Sequence, residues 1–289
     1  MNKLVLGTAQ LGLNYGVNNF QKKPSMNSSV KILNEAFSQG IRCLDTAESY
    51  GDAHSVIGEY HSLNPDKKFL IYDKISYIDK KKLQDFEKNI DDKLLKLNID
   101  YLQGLMFHSA SLFEQNEKLY SKMIELKKRG KIKKIGVSVY KNNEIINILN
   151  KGYAFDFIQI PFNVLDNEFQ KKIVIEKMIK SNIEIHARSI FLQGIFYMDF
   201  DTFPEKLEPL KKYILAVKEI CKENDCNIDD MLINYPKQKK YIKKIIFGID
   251  NISQLEKNLN TYNKKSDISL DIVDKIKVKE RDLLNPSLW

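Results

Sequence analysis

The sequence predicts one (β/α)8 barrel over residues 1–289, and three observations carry that reading. Short apolar runs alternate with longer segments of helical period, the pattern of parallel strands joined by helical crossovers. Eight such runs can be counted, the number at which a parallel sheet of this kind closes on itself. The length of 289 residues also suits a single unit, since such barrels commonly take about 250 residues.

Strands are expected at residues 4–8, 41–45, 69–74, 102–108, 132–138, 157–161, 183–188 and 245–248. The first long helix should begin at Ser28 or Ser29 as N-cap. It carries Val30, Leu33, Ala36 and Phe37 on one face and ends at Gly40, where a left-handed residue closes the last turn. Between the third and fourth runs, Leu83, Phe86, Ile90, Leu94 and Leu97 form one apolar stripe, as a helix covering a sheet requires. The next long helix should run to Arg129 and stop at Gly130.

An open, doubly wound sheet is the structural alternative. It calls for a Gly-x-Gly-x-x-Gly turn after the first strand, and GTAQLGLNYG at residues 7–16 does not have that spacing. The longest connections follow the seventh run, at residues 189–209, and close the chain after Leu259. Long loops at the mouth of a barrel commonly act as lids or straps.

A hydrophobic fraction of 43% and a charged fraction of 29% leave ample material for a core and give no sign of disorder. Apolar runs such as residues 245–249 fall far short of the roughly 20 residues needed to cross a bilayer. The start, MNKLVLGTAQ, passes directly into a strand-like pattern, so a cytoplasmic protein without membrane partners is expected. Cys43, Cys221 and Cys226 include no Cys-x-x-Cys pair, and the histidines show no metal-ligand spacing; neither a redox pair nor a metal is expected. The net charge of +8 is spread over many helical faces, with its densest run at Lys127 to Lys134, where a helix ends. Nucleic acid is therefore not an expected partner. An anionic small molecule is a better use of the surplus.

Four residues carry the chemistry. Asp45 ends the second expected strand, Tyr50 lies in the loop after it, Lys74 ends the third strand and His108 ends the fourth. Barrel enzymes draw their working groups from that end of the strands, so the four should meet on one rim. Carbonyl reduction requires a proton on oxygen, and a Tyr whose pKa is lowered by a neighbouring ammonium is a suitable donor. Lys74 can be that ammonium and Asp45 its counter-ion, while His108 can donate a hydrogen bond that orients the carbonyl. Side chains cannot supply hydride, so a nicotinamide cofactor follows.

These motifs and their order resemble the aldo-keto reductase family, from LVLGTAQLG near the start to FGIDNISQLEKNL near the end. The resemblance implies NAD(P)H-dependent reduction of a small aldehyde, ketone or sugar-like, sugar-derived carbonyl, and the basic surplus together with Arg188 adds the expectation of an anionic substrate. It further implies that Ser138 in GVSVY and Gln159 in FIQIPFN hold the nicotinamide carboxamide, with Asn163 nearby and Val139 where Asn is usual. In HARSIFLQGIF it assigns Ser189, Leu192 and Gly194 to the pyrophosphate, while Arg188 stands where an aromatic usually stacks on nicotinamide. Gly248, Gln254 and Asn258 fall in the adenosine-binding segment. The family places NADP(H) ahead of NAD(H), but Gln254 replaces the usual phosphate-binding Arg and Asp250 lies beside it, so the choice stays open. Two rival functions also stay open: a catalytically silent, cofactor-binding regulatory barrel, and a nicotinamide-dependent lyase or epimerase acting on sugars.

Overall fold

The computed structural model describes residues 3–17, 22–76, 85–265 and 270–289. Eight parallel strands close into a barrel in sequence order: β1 (Leu4–Gly7), β2 (Cys43–Ala47), β3 (Leu70–Ile75), β4 (Gly104–Phe107), β5 (Ile135–Ser138), β6 (Phe157–Pro161), β7 (Glu184–Arg188) and β8 (Ile242–Phe247). Helices α1 (Ala9–Gly12), α2 (Met26–Ser38), α3 (Ala53–Leu63), α4 (Phe86–Leu97), α5 (Ala110–Gln115), α6 (Lys118–Lys128), α7 (Asn142–Asn150), α8 (Glu168–Lys180), α9 (Lys211–Glu223), α10 (Ile228–Gln238) and α11 (Ile252–Asn263) fill the connections. No described helix is long and apolar enough to cross a membrane.

Inside the barrel, Val5, Cys43, Tyr72, Met106, Phe157 and Ile246 form a layer of their own. Phe157 stacks on His186 at 4.5 Å and meets Tyr72 edge-on. Its ring fits because β5 offers Gly136: a Cβ there would lie 2.4 Å from the ring. The larger core lies between the strands and the helices, where Leu33, Ile57, Leu97 and Leu126 are fully covered. The stripe expected on α4 is present in Phe86, Ile90, Leu94 and Leu97, all buried; Leu83 lies outside the described residues.

Several ends differ from expectation. Helix α2 starts one turn early: Ser25, not Ser28 or Ser29, is the N-cap, and its Oγ accepts the Ser28 N–H at 3.2 Å. All three are serines, so composition alone does not choose among them. Gly40 is left-handed at φ 88°, and Gly130 closes α6 at φ 79°, both as expected. Strand β2 continues two residues past Asp45 because Thr46 and Ala47 are buried against β3. Strand β8 begins three residues earlier than expected: Lys243 and Lys244 interrupt its apolar run, yet Ile242 and Lys244 still pair with β7 across a register shift at Ile185/His186.

The basic run at the end of α6 is largely compensated. Lys127 pairs with Asp156, Arg129 with Glu87, Lys131 with Asp91 and Lys134 with Glu184. These contacts tie α6 and β5 to neighbouring elements and leave little unpaired charge for a polyanion.

Candidate active site

Alternation along β3 sends neighbouring residues to opposite sides of the sheet. Lys74 points into the barrel, 2% exposed, and pairs with Asp45 on β2, while Asp73 points outward to the helices. Gln159 on β6 donates from Nε2 to the second oxygen of Asp45 at 2.7 Å. A carboxylate only accepts, so this bond fixes the orientation of the amide and turns Gln159 Oε1 away from Asp45. That oxygen is buried and has no partner.

Tyr50 reaches the same place from the loop after β2. Lys74 Nζ lies 5.1 Å from the centre of its ring and makes a side-chain hydrogen bond to it. The loop sits close because Gly12 ends α1: a Cβ at Gly12 would come within 1.8 Å of the Tyr50 carbonyl oxygen. Tyr50 packs edge-on against His108 with ring centres 5.8 Å apart. The four side chains singled out above therefore meet at one end of the barrel.

The electrostatics differ from the sequence expectation in one respect. Burial raises the pKa of Tyr50 and outweighs the lowering pull of the Lys74 ammonium, so the phenol is held above its ordinary value. Lys74 opposes that shift without reversing it. Burial works to lower Lys74 itself, but Asp45 and Tyr50 together hold it above its ordinary value. His108 is pushed down to about 3 by burial, with the charges of Lys74 and Arg188 acting in the same direction. At neutral pH the site holds a protonated phenol, an ammonium paired with a carboxylate, and a neutral imidazole.

A cavity of about 600 Å³ extends from these four groups across the mouth of the barrel, and every site residue singled out above lines it. Val139 and Asn163 lie outside its lining; Asn163, fully buried, donates to the Ser189 carbonyl at 3.0 Å and braces the loop from beneath. That loop after β7 is strained. Ser189, Leu192 and Gln193 all have positive φ, a conformation that side-chain-bearing residues adopt at a cost of about 1 to 3 kcal/mol. Gln193 Oε1 accepts the Val17 N–H at 3.1 Å and joins the loop to the one after β1.

Arg188 stands over the face of Tyr140, 4.0 Å from the ring centre. Its guanidinium donates to Ser138 Oγ at 3.3 Å, Ser189 Oγ at 3.1 Å and the Val139 carbonyl at 3.0 Å. All these partners are neutral, and among the described residues no carboxylate pairs with it. At the far end of the cavity, Asp250 and Gln254 are bound to each other. The Asp250 N–H donates to Gln254 Oε1 at 2.8 Å and Gln254 Nε2 to Asp250 Oδ2 at 3.1 Å. Asp250 Oδ1 is buried without a partner.

Sequence comparison decides the lineage: the model of the aldo/keto reductase family matches residues 3–278. The chain belongs to the aldo/keto reductase family. It is an NAD(P)-dependent oxidoreductase acting on a small-molecule carbonyl. It is similar to the uncharacterized oxidoreductase YqkF of Bacillus subtilis (strain 168), 22% identical over 288 residues and 92% of each chain. Among solved structures it resembles the holo form of aldo-keto reductase AKR11C1 from Bacillus halodurans, with TM-score 0.75, 16% identity, and 96% and 94% of the two chains covered. It also resembles the glycerol dehydrogenase AKR11B4 from Gluconobacter oxydans, with TM-score 0.73, 18% identity, and 96% and 91% coverage. At these identities the structural likenesses speak for the fold alone.

Sequence reasoning missed a group behind the rim. Asp73, fully buried, pairs with His54 of α3 at 2.9 Å and Lys93 of α4 at 2.7 Å, and Lys93 also reaches Glu48 at 2.9 Å. Burial works to raise the Asp73 carboxyl, yet Lys93 and His54 hold it below the ordinary carboxylate range. The signal was present at Lys93, which falls on the α4 stripe between Ile90 and Leu97. A lysine on the buried face of an amphipathic helix implies a buried partner.

Proposed function

We propose that this protein reduces a small carbonyl compound with Tyr50 as the proton donor, and the single observation behind this is the convergence of Tyr50, Lys74, Asp45 and His108 on one cavity. A bound nicotinamide would supply the hydride. Gln159 Oε1 and Ser138 Oγ suit its carboxamide, since the buried Oε1 lacks a donor and an amide N–H₂ is one. Gly248 and Asn258, together with the strained loop at Ser189, Leu192 and Gly194, would hold the rest of the molecule along the cavity. Tyr50 gives its proton to the substrate oxygen, and the Lys74 ammonium stabilises the phenolate that remains. Asp45, held by Gln159, keeps Lys74 charged and in position. His108, neutral throughout the working range, orients the carbonyl by donating from its ring N–H. The test is oxidation of NAD(P)H, followed by absorbance, over a panel of aldehydes, ketones and sugars. A protein that binds cofactor yet turns over nothing in the panel fits the regulatory alternative instead.

The charges favour a substrate bearing an anionic group. Asp45 neutralises Lys74 and His108 is uncharged, so Arg188 leaves the catalytic end of the cavity with one unbalanced positive charge among the described residues. A carboxylate on the substrate would pair with it. We expect Arg188→Gln to lower kcat/KM for carboxylate-bearing carbonyls by about ten-fold to a hundred-fold, the worth of one charge-assisted hydrogen bond. Neutral analogues should change little. Equal losses on matched charged and neutral substrates would assign Arg188 to the cofactor.

The adenosine end favours NAD(H) over the NADP(H) usual in the family. Asp250 lines the cavity and its Oδ1 lacks a partner, so the carboxylate can accept from a free ribose hydroxyl and would repel a 2′-phosphate. Gln254 is already engaged with Asp250 and carries no charge. NADH should bind more tightly than NADPH. Replacing both residues, with Asp250→Ser and Gln254→Arg, should move the ratio of dissociation constants toward NADPH by about ten-fold to a hundred-fold. A wild type that prefers NADPH a thousand-fold, with the double variant unchanged, would show that the phosphate is held elsewhere.

A further inference from the structure

We propose that Ser76 is a positioning residue that sets the tautomer of His108, and that the ion network running from Glu48 through Lys93 to the buried Asp73 holds Ser76 in place. Ser76 follows β3 directly, and its Oγ lies 2.8 Å from His108 Nδ1. The same oxygen accepts the Ser49 N–H at 3.3 Å, so its own hydrogen has two destinations: His108 Nδ1, or Ser49 Oγ at 2.9 Å. Ser49 is exposed and water can serve its hydroxyl. His108 Nδ1 also has Ser49 Oγ at 3.5 Å, a longer and weaker contact than the 2.8 Å one to Ser76.

Donation from Ser76 to Nδ1 makes that nitrogen an acceptor and places the ring hydrogen on Nε2. Nε2 is then the donor available to a substrate oxygen. The reverse arrangement, with hydrogen on Nδ1, would leave Nε2 a lone pair that repels the carbonyl oxygen it is meant to orient. A hydroxyl can support either tautomer, so what selects one is the placement of Ser76.

That placement is fixed from behind. The Ser76 N–H donates to Glu48 Oε2 at 3.1 Å, and the other oxygen of Glu48 pairs with Lys93 at 2.9 Å. Lys93 is anchored in turn by Asp73, and Asp73 by His54. The Glu48 N–H donates to the Lys74 carbonyl at 3.2 Å, so one loop carries contacts to both catalytic strands. The network thus gives a use to four buried or partly buried ionisable groups that the proton transfer itself does not employ. It also explains why Lys93 is retained on an otherwise apolar stripe.

The inference rests on the reading of His108 as the group that orients the carbonyl, and the experiment separates the two. Ring nitrogen shifts of His108 are recorded by NMR on the full chain with ¹⁵N-labelled histidine, assigned by comparison with His108→Gln. The wild type should show hydrogen on Nε2. Ser76→Ala should mix the tautomers and lower kcat by about ten-fold, the loss of one hydrogen bond, while cofactor affinity holds. Ser76→Thr, which keeps the hydroxyl, should restore both. Glu48→Gln should shift the tautomer ratio in the same direction as Ser76→Ala, to a smaller degree. Hydrogen on Nδ1 in the wild type, or Ser76→Ala with both tautomer and kcat unchanged, overturns the proposal. The NMR result is read without turnover, so a chain that reduces no carbonyl would defeat the functional reading and leave the tautomer assignment to stand or fall by itself.

Discussion

Tyr50→Phe should lose turnover by about two to four orders of magnitude, the usual contribution of a positioned general acid, and still bind cofactor within a few-fold of wild type. The substitution removes one oxygen from a side chain that lines the cavity and leaves the ring against His108. Lys74 keeps its pair with Asp45, so no buried charge is orphaned and the fold should hold. The proton proposed to come from Tyr50 has no ready substitute. His108 has its pKa pushed down to about 3, so at neutral pH almost none of it is imidazolium. Because the Tyr50 phenol is raised above its ordinary value, it remains protonated through neutral pH, and reduction should fall only as pH climbs toward that raised value. Steady-state rates with a saturating carbonyl, beside a fluorescence titration with NADH, check both halves. Full activity in the variant would remove Tyr50 from the chemistry.

The site was legible in the sequence to the extent that strand ends can be read. Asp45, Lys74 and His108 each close or nearly close an apolar run, and parallel strands in a barrel bring such ends together whatever their separation along the chain. The partners of these groups were not legible. That Gln159 holds Asp45, from 114 residues away, depends on barrel closure and register, which no local pattern encodes. The direction of the Tyr50 shift depends on how deeply the loop sits, and this is set by the contact of Gly12 with the Tyr50 backbone. Arg188 was visible as an anomaly in HARSIF, but its want of a carboxylate partner could be seen only once its neighbours were in place.

The fold follows the same division. The run FIQIP of β6, broken only by Gln159, gave strand limits that match residue for residue. Strands that carry charge on the helix side or at their exposed start gave poor ones, and Lys243 and Lys244 in β8 are the clearest case. Hydropathy registers the burial of a side chain, whereas pairing is made by the backbone, and the two part company at the ends of a sheet.

Lys74→Met should be as damaging as Tyr50→Phe, and for two separable reasons. The first is chemical. Lys74 pulls the Tyr50 pKa down against burial, so without the ammonium that pKa climbs further and the phenolate left by proton transfer has no counter-ion. Neutral-pH reduction should fall by about two orders of magnitude or more, and the alkaline limb of the pH profile should move to higher pH. The second is structural. The Lys74 ammonium is held above its ordinary value, so the stability it contributes is fully present at neutral pH and fades only as pH rises through the folded value. Removing it leaves the buried Asp45 carboxylate with Gln159 alone, at a cost of about 3 to 5 kcal/mol. Asp45→Asn alone should be milder in rate, since the ammonium survives. Combining Asp45→Asn with Lys74→Met removes both charges and should recover most of the lost melting temperature. If stability returns in that double variant and turnover does not, the ammonium acts on the chemistry of Tyr50 and not merely on the fold. A Lys74→Met protein that melts normally and keeps the wild-type pH profile would mean that Tyr50 is tuned by something other than Lys74.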